Sequence, residues 1–357
     1  MRRSSSISSS CCCRRGGSSE GRHALRTNVS TPVVSSTACC LELCGLTSRT
    51  LRMAALLNLT RASSALAPYV RAPASASCTG TAWSRRWLSG GAPTPELEVS
   101  LLPLDKPDEH IFSLTFNRPA SRNAIGRKFL AELREALANM RRERTARCLL
   151  VSSAVPSVFC AGADLKERSA MTQQETEQFV SQLRAAFNEL EDLPMPTIAV
   201  IDGYALGGGL ELALSCDLRV AAEGSSFALP ETRLGIIPGA GGTQRLPRVV
   251  GLTAAKELIF TGRRLDTTDA LKRGLVDYAA PEGQAMEQAM SLAQEIAQGA
   301  PLALRMAKRA ISVGSQLDAA SGQLFEEACY ARVIPTRDRL EGLRAFAEKR
   351  SPRFTGE

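Results

Sequence analysis

The stretch Thr197–Asp217, TIAVIDGYALGGGLELALSCD, constrains this 357-residue chain more than any other. Thr197–Ile201 is a short run apolar enough to be buried on both faces, so it needs structure packed above and below it. It leads into Gly207-Gly208-Gly209, and a helix is predicted directly afterwards, over Leu210–Ser215. Glycines at such a place let a ligand approach the backbone and leave N–H groups free at a helix N-terminus. That favours negative charge, either a phosphate or a developing oxyanion. The G-x-G-x-x-G spacing of a dinucleotide site is absent. Three glycines could also serve only tight helix–strand packing.

A second loop, Phe159–Glu167 (FCAGADLKE), again puts small residues between a strand and a helix. Ala161, Gly162 and Ala163 offer further backbone N–H groups. Two such loops could converge on one oxygen, as an oxyanion hole requires. Glu211 falls two residues past the glycines, and Glu231 follows Pro230, which suits the first position of a helix. Each glutamate could simply complement a helix N-terminus. Yet the chain has only two histidines, His23 and His110. No His-rich metal site can be built, so acid–base work falls to carboxylates, Lys, Tyr or Cys.

The pattern of elements is α/β followed by all-α. Residues 89–109 read as a linker. His110–Asn117 alternates Phe112, Leu114 and Phe116 against Ser113 and Thr115, a half-buried strand. Lys128–Arg144 has helical spacing, Cys148–Ser152 is a short apolar strand, and Thr172-x-x-Glu175 opens a helix with a capping box. A strand at Asp217–Ala221 completes an α/β core over 110–251. From about Leu252 the strands stop, and 252–357 reads as helices. No run is long and apolar enough for a membrane span.

Residues 1–88 read as an address. Up to residue 95 the chain carries twelve arginines, no lysine and only Glu20 and Glu42 as acids, a charge of +10; the remainder holds 32 basic and 34 acidic residues, −2. An Arg/Ser/Ala-rich, acid-poor segment without a continuous apolar core marks an organellar transit peptide. A mitochondrial matrix address is expected, with the chloroplast as runner-up. Met53 is an alternative start, and Arg86-Trp87-Leu88 before Ser89 has the form of a matrix-peptidase cut. Seven of the eleven cysteines lie in this segment. The others, Cys148, Cys160, Cys216 and Cys329, show no CxxC spacing and read as buried thiols.

These residues together resemble the crotonase (enoyl-CoA hydratase/isomerase) superfamily. TIAVIDGYALGGGLELALSCDL fits its whole signature, and NRPASRNAI, FCAGADLKER, IIPGAGGTQRLPR and RDRLEGLRAFAEKR fit over roughly 98–357. The wording is nearest the 3-methylglutaconyl-CoA hydratase branch. The resemblance implies a crotonase-like spiral of ββα units, then an all-helical C-terminal trimerisation region, assembled as a homotrimer or homohexamer. It implies an acyl-CoA substrate and no separate cofactor, since CoA is part of the substrate, and no metal. The thioester oxygen would sit between the N–H groups of Ala161 and Gly208, and Glu211 and Glu231 would be the hydratase pair. CoA would contact Ala161, Gly162, Ala163, Asp164 and Gly208, with Phe346 and Lys349 often reaching in from a neighbouring subunit. The implied reaction is syn addition of water to a 2,3-enoyl thioester, 3-methylglutaconyl-CoA of leucine degradation or else a short-chain enoyl-CoA of fatty-acid β-oxidation.

Two other classes compete. RNA binding would use the basic residues Arg127, Lys128, Arg134, Arg141, Arg142, Arg144 and Arg147 of the first helix. Glu132, Glu135 and Glu143 interrupt that patch and no aromatic platform accompanies it, which favours a solvated helix face. A pseudoenzyme holding CoA as a structural partner is the other; the intact glutamate pair argues against it.

Overall fold

Three consecutive strand pairs build the core, and each pair splits between two sheets. The computed structural model describes residues 98–105, 108 and 110–357. The transit-peptide reading of 1–88, the cut before Ser89 and the start at Met53 lie outside the described residues. The strands are β1 (Val99–Pro103), β2 (Ile111–Phe116), β3 (Cys148–Ser153), β4 (Val158–Cys160) and β5 (Thr197–Ile201). They continue with β6 (Tyr204–Leu206), β7 (Leu218–Ala222), β8 (Ser226–Ala228), β9 (Leu265–Asp266) and β10 (Tyr278–Ala280). One sheet has the order β1-β2-β3-β5-β7-β10 and the other β4-β6-β8-β9. In each of the pairs β3/β4, β5/β6 and β7/β8, the first strand joins the larger sheet in parallel and the second joins the smaller.

The helices are α1 (Arg127–Arg142), α2 (Leu165–Ser169), α3 (Gln173–Glu191), α4 (Gly208–Ala213) and α5 (Gly242–Val250). After them come α6 (Leu252–Thr261), α7 (Thr267–Lys272), α8 (Ala285–Ala297), α9 (Pro301–Gly314), α10 (Ala319–Val333) and α11 (Arg337–Glu348). The capping box at Thr172 and Glu175 is formed, with both reciprocal bonds present. Between the sheets and against α1 and α3 lies the main core, where Phe116 packs on Phe129 and Phe159 at centroid distances of 5.0 and 5.8 Å. On the far face of the larger sheet, Ala285, Ala289, Met290 and Ala293 of α8 cover Ile111, Leu150, Ile198 and Val220. All five residues of β5 are consequently buried, as its uninterrupted apolar run requires.

Three expectations change. The linker 89–109 contains β1, which pairs antiparallel with β2 and places Val99 in the core. β2 is buried on both faces: α8 covers the side that carries Ser113 and Thr115, and those hydroxyls bond to one another and to Ser152 at 3.0 and 3.3 Å. Two short strands lie beyond Leu252. β9 closes the edge of the smaller sheet and β10 that of the larger. Both are too short to display a period. The C-terminal helices are fastened to the core by Lys308, whose Nζ lies 2.7 Å from Asp217 and donates to the Met195 carbonyl at 3.0 Å.

Candidate active site

The glycine segment begins as β6 ends. Gly207 has φ 53°, donates to the Ala228 carbonyl at 2.8 Å, and α4 starts at Gly208. A Cβ on Gly209 would collide with the Cys160 carbonyl, so only glycine lets α4 start this close to β4. Gly162 has φ 94°, and a Cβ there would lie 2.7 Å from the Leu206 carbonyl. The two loops therefore touch: a Cβ on Gly208 would stand 3.7 Å from the Ala163 nitrogen.

This packing corrects one assignment. The Ala161 N–H already donates to the Arg122 carbonyl at 3.1 Å, because Arg122 and Asn123, both at φ 54°, carry that carbonyl to β4. Gly162 N–H donates to Cys160 Sγ at 3.4 Å and Asp164 N–H to the Ile125 carbonyl at 3.1 Å. Among the described residues neither Ala163 N–H nor Gly208 N–H has a protein acceptor. The pair free to hold an oxyanion is Ala163 and Gly208, with Ala161 supporting the loop. Composition made Ala161 and Ala163 equivalent; only the reach of the Arg122 carbonyl separates them.

Asp164 also has a structural task. Its Oδ1 caps α2, accepting from Lys166 N–H and Glu167 N–H at 3.1 Å each, and its Oδ2 lies 3.0 Å from Arg118. Burial alone would raise its pKa, but these bonds and the guanidinium hold it below the ordinary value. It does not line the cavity below.

Glu211 and Glu231 are both buried, at 3 % and 8 % exposure. Glu211, in the first turn of α4, uses Oε1 to accept from Ala240 N–H at 2.9 Å and Gly242 N–H at 2.7 Å. Burial raises its pKa; the two N–H groups, Arg245 and Arg184 pull the other way. Glu231 opens a 3-10 turn, Glu231–Leu234, with Pro230 as its cap rather than its first residue. Glu231 Oε2 is buried with no hydrogen-bond partner. Burial, with a smaller push from the Glu211 charge, raises the Glu231 carboxyl to about 7.

Ala161, Gly162, Ala163, Gly208, Glu211 and Glu231 all line one cavity of about 800 Å³. Its walls are mainly apolar, from Leu165, Val180, Leu206, Leu234, Ile236 and Ile237, and its cations are Arg168 and Arg184. Phe346 and Lys349 do not line it; Phe346, on α11, is 86 % exposed. Residues that only the motif strings contained also support the site. Buried Asn123 donates to the Phe159 carbonyl at 3.0 Å, and Ala240 and Gly242 hold Glu211. Cys160, Cys148 and Cys216 are poor nucleophiles, since burial pushes each up to about 12.

Two convergent peptide N–H groups, two buried carboxylates and an apolar cavity on interleaved ββα units define an acyl-thioester enzyme of the crotonase fold. The enoyl-CoA hydratase/isomerase family model matches residues 106–357. The chain is 53% identical over 264 residues to the human enoyl-CoA hydratase domain-containing protein 2, mitochondrial, covering 73% of this chain and 90% of that protein. It is 45% identical over 290 residues to the human mitochondrial methylglutaconyl-CoA hydratase, covering 77% and 86%. The crystal structure of an enoyl-CoA hydratase from Bacillus anthracis superposes with a TM-score of 0.70 at 45% identity, covering 73% of this chain and all of that one. The chain belongs to the enoyl-CoA hydratase/isomerase family, and it is an enzyme of the enoyl-CoA hydratase type.

Proposed function

We propose that the protein adds water syn across the double bond of a 2,3-enoyl-CoA, with 3-methylglutaconyl-CoA as its substrate. The observation that carries the hydratase reading is the Glu211/Glu231 pair beside two free N–H groups in one cavity. Glu211 takes a proton from water as its oxygen bonds to the β-carbon. Glu231, protonated in part near neutrality, gives a proton to the α-carbon. The charge that builds on the thioester oxygen is met by Ala163 and Gly208 N–H.

The acyl group is argued from cations. An acyl chain ending in a carboxylate suits a cavity containing Arg168 and Arg184. Arg168 has no side-chain partner among the described residues, and the Arg184 bond to the protein, Nε to the Gly239 carbonyl at 2.9 Å, leaves its terminal N–H groups over. A short-chain enoyl-CoA is the competing substrate; the name of the 53% identical relative speaks of an enoyl-CoA hydratase domain and of no particular acyl group. Turnover with 3-methylglutaconyl-CoA beside crotonyl-CoA decides: a higher kcat/KM for crotonyl-CoA would assign the short-chain reading, and no turnover of either would refute both.

The basic, acid-poor leader and the mitochondrial relatives support action in the mitochondrial matrix. The N-terminal sequence of the protein taken from that organelle should begin near Ser89. RNA binding finds less support, because several cations of that patch are engaged: on α1, Arg127 with Glu175 at 3.0 Å and Arg134 with Glu189 at 3.2 Å, and beyond it Arg147 with the Ala297 and Phe354 carbonyls at 2.7 Å each. RNA retention by residues 89–357 that weakens steeply with salt would revive it.

A further inference from the structure

Arg245 donates no hydrogen bond to either glutamate, yet its guanidinium fixes the loop that holds one of them. It is 8 % exposed and lies on α5. Its Nη1 donates to the Ala240 carbonyl at 3.0 Å, and its Nη2 donates to Asn188 Oδ1 at 2.7 Å and Glu191 Oε2 at 2.6 Å. Its Nε donates to the same Glu191 oxygen at 2.9 Å. Gly241, at φ 114°, leaves room for this guanidinium; a Cβ there would collide with Nη1. The next bond in the chain is the Ala240 N–H on Glu211 Oε1, joined by that of Gly242. A continuous path therefore runs from the end of α3 through Arg245 and one residue, Ala240, to the carboxylate.

Such a path has a chemical use. With Oε1 occupied by two N–H groups, Glu211 is left with one oxygen for water, and its direction depends on where the 240–242 loop sits. Misplacing a reacting group by about 1 Å can cost ~10²-fold in rate. We propose that Arg245 is a positioning residue for hydration: by anchoring Ala240 to α3, it aims Glu211 Oε2 at the attacking water. This rests on the hydratase reading of Glu211. The charged groups around Glu211 are Arg245 on α5 and Arg184 on α3, which favour its ionised form, and Glu231 on the 3-10 turn, which opposes it; Cys160 behind α4 is a neutral thiol. Removing Arg245 should therefore do two things at once, loosen the aim and raise the pKa of Glu211.

The test uses Arg245→Met, Arg245→Lys and Glu191→Ala, each assayed for hydration and for the titration of Glu211 by carbon NMR of carboxyl-labelled glutamate. Arg245→Met should lower kcat by ~10–10²-fold with KM within about twofold, and its Glu211 midpoint should rise. Arg245→Lys should bring the midpoint back towards wild type while kcat stays low, because one ammonium cannot span Ala240, Asn188 and Glu191. A lower melting temperature with kcat and midpoint unchanged would reduce Arg245 to a structural tie and overturn the proposal, as would full recovery of kcat in Arg245→Lys. If Arg245→Met does not fold, Glu191→Ala decides in its place, since Glu191 is nearly half exposed and its loss removes two of the three bonds that tie Arg245 to α3; both readouts unchanged there also overturns it. Wild-type protein that hydrates no enoyl-CoA would refute the hydratase reading, while the NMR midpoints would still judge Arg245.

Discussion

Glu211 and Glu231 face the same cavity with opposite furnishings: Glu211 Oε1 accepts two peptide N–H groups, whereas Glu231 Oε2 is buried without a donor. Burial raises the pKa of both; at Glu211 the two peptide N–H groups and two arginines temper that rise, whereas at Glu231 only its own backbone N–H does, and the carboxyl reaches about 7. In the hydration proposed above, this difference casts Glu211 as the base and Glu231 as the acid.

Glu231→Gln should keep acyl-CoA binding while lowering kcat by ~10²–10⁴-fold, the usual contribution of a positioned acid or base. In the wild type kcat should fall as pH rises through about 7, where Glu231 loses its proton. Steady-state kinetics from pH 5 to 9, with isothermal titration of a saturated acyl-CoA, checks both. Near-normal turnover in the variant would remove Glu231 from the mechanism.

The same residue predicts a stability cost with a definite sign. Its carboxyl sits at about 7 in the folded protein against an ordinary value of 4.5, so the folded state binds more protons between those limits and stability falls as pH rises through them. The penalty is absent below about 4.5 and complete above about 7, on the order of 3 kcal/mol. Glu231→Gln should therefore melt higher than wild type at pH 8 and the same at pH 4. Equal melting temperatures at pH 8 would mean that the folded-state pKa is ordinary.

How much of this was legible in the sequence depended on how local each cause is. The run TIAVI announced a strand buried on both faces, and the glycines announced a close approach, because both depend on the residues themselves. β9 and β10 were invisible, since two or three residues carry no period and are strands only because β8 and β7 stand beside them. Ser113 and Thr115 suggested a solvated face until α8, more than 160 residues away, covered it. Glu211 and Glu231 could be read as candidates from the sequence; that one accepts two peptide N–H groups while the other keeps an unpaired buried oxygen could not. The choice between Ala161 and Ala163 hung on a carbonyl at Arg122, some forty residues upstream.

That choice is directly testable by replacing single peptide bonds with esters, which deletes one N–H and little else. An ester at residue 163 should lower kcat by ~10²–10³-fold, the typical loss for one oxyanion donor. An ester at residue 161 should leave kcat within a few-fold and cost stability by about 1 kcal/mol, the worth of its bond to the Arg122 carbonyl. Kinetics and urea unfolding of the two semisynthetic proteins separate the roles; the reverse pattern would restore Ala161 to the oxyanion site.

Assembly is the remaining expectation, and α11 gives it a residue-level form. The helix is tied to its own chain by its tail, with Asp338 accepting from Thr355 N–H at 2.7 Å and Gly356 N–H at 2.9 Å, and Arg350 pairing with Glu341 at 2.6 Å. These ties leave its apolar face uncovered: Leu340 is 56 % exposed, Leu343 57 % and Phe346 86 %. On α9 and α10, which precede it in the chain, Ile311, Leu324 and Tyr330 are exposed as well. Apolar surface on that scale marks a protein–protein contact, and one repeated interface between copies closes into a ring. The mature protein should therefore scatter light as a trimer or a hexamer at micromolar concentration. Leu343→Glu should shift it towards monomer, because a charge placed in an apolar contact has no partner there. If Phe346 and Lys349 complete a neighbour's CoA site, that same variant should weaken acyl-CoA binding without touching the cavity residues. A wild-type protein that is monomeric yet fully active would end the shared-site expectation; a dissociated Leu343→Glu variant with unchanged acyl-CoA affinity would confine α11 to assembly alone.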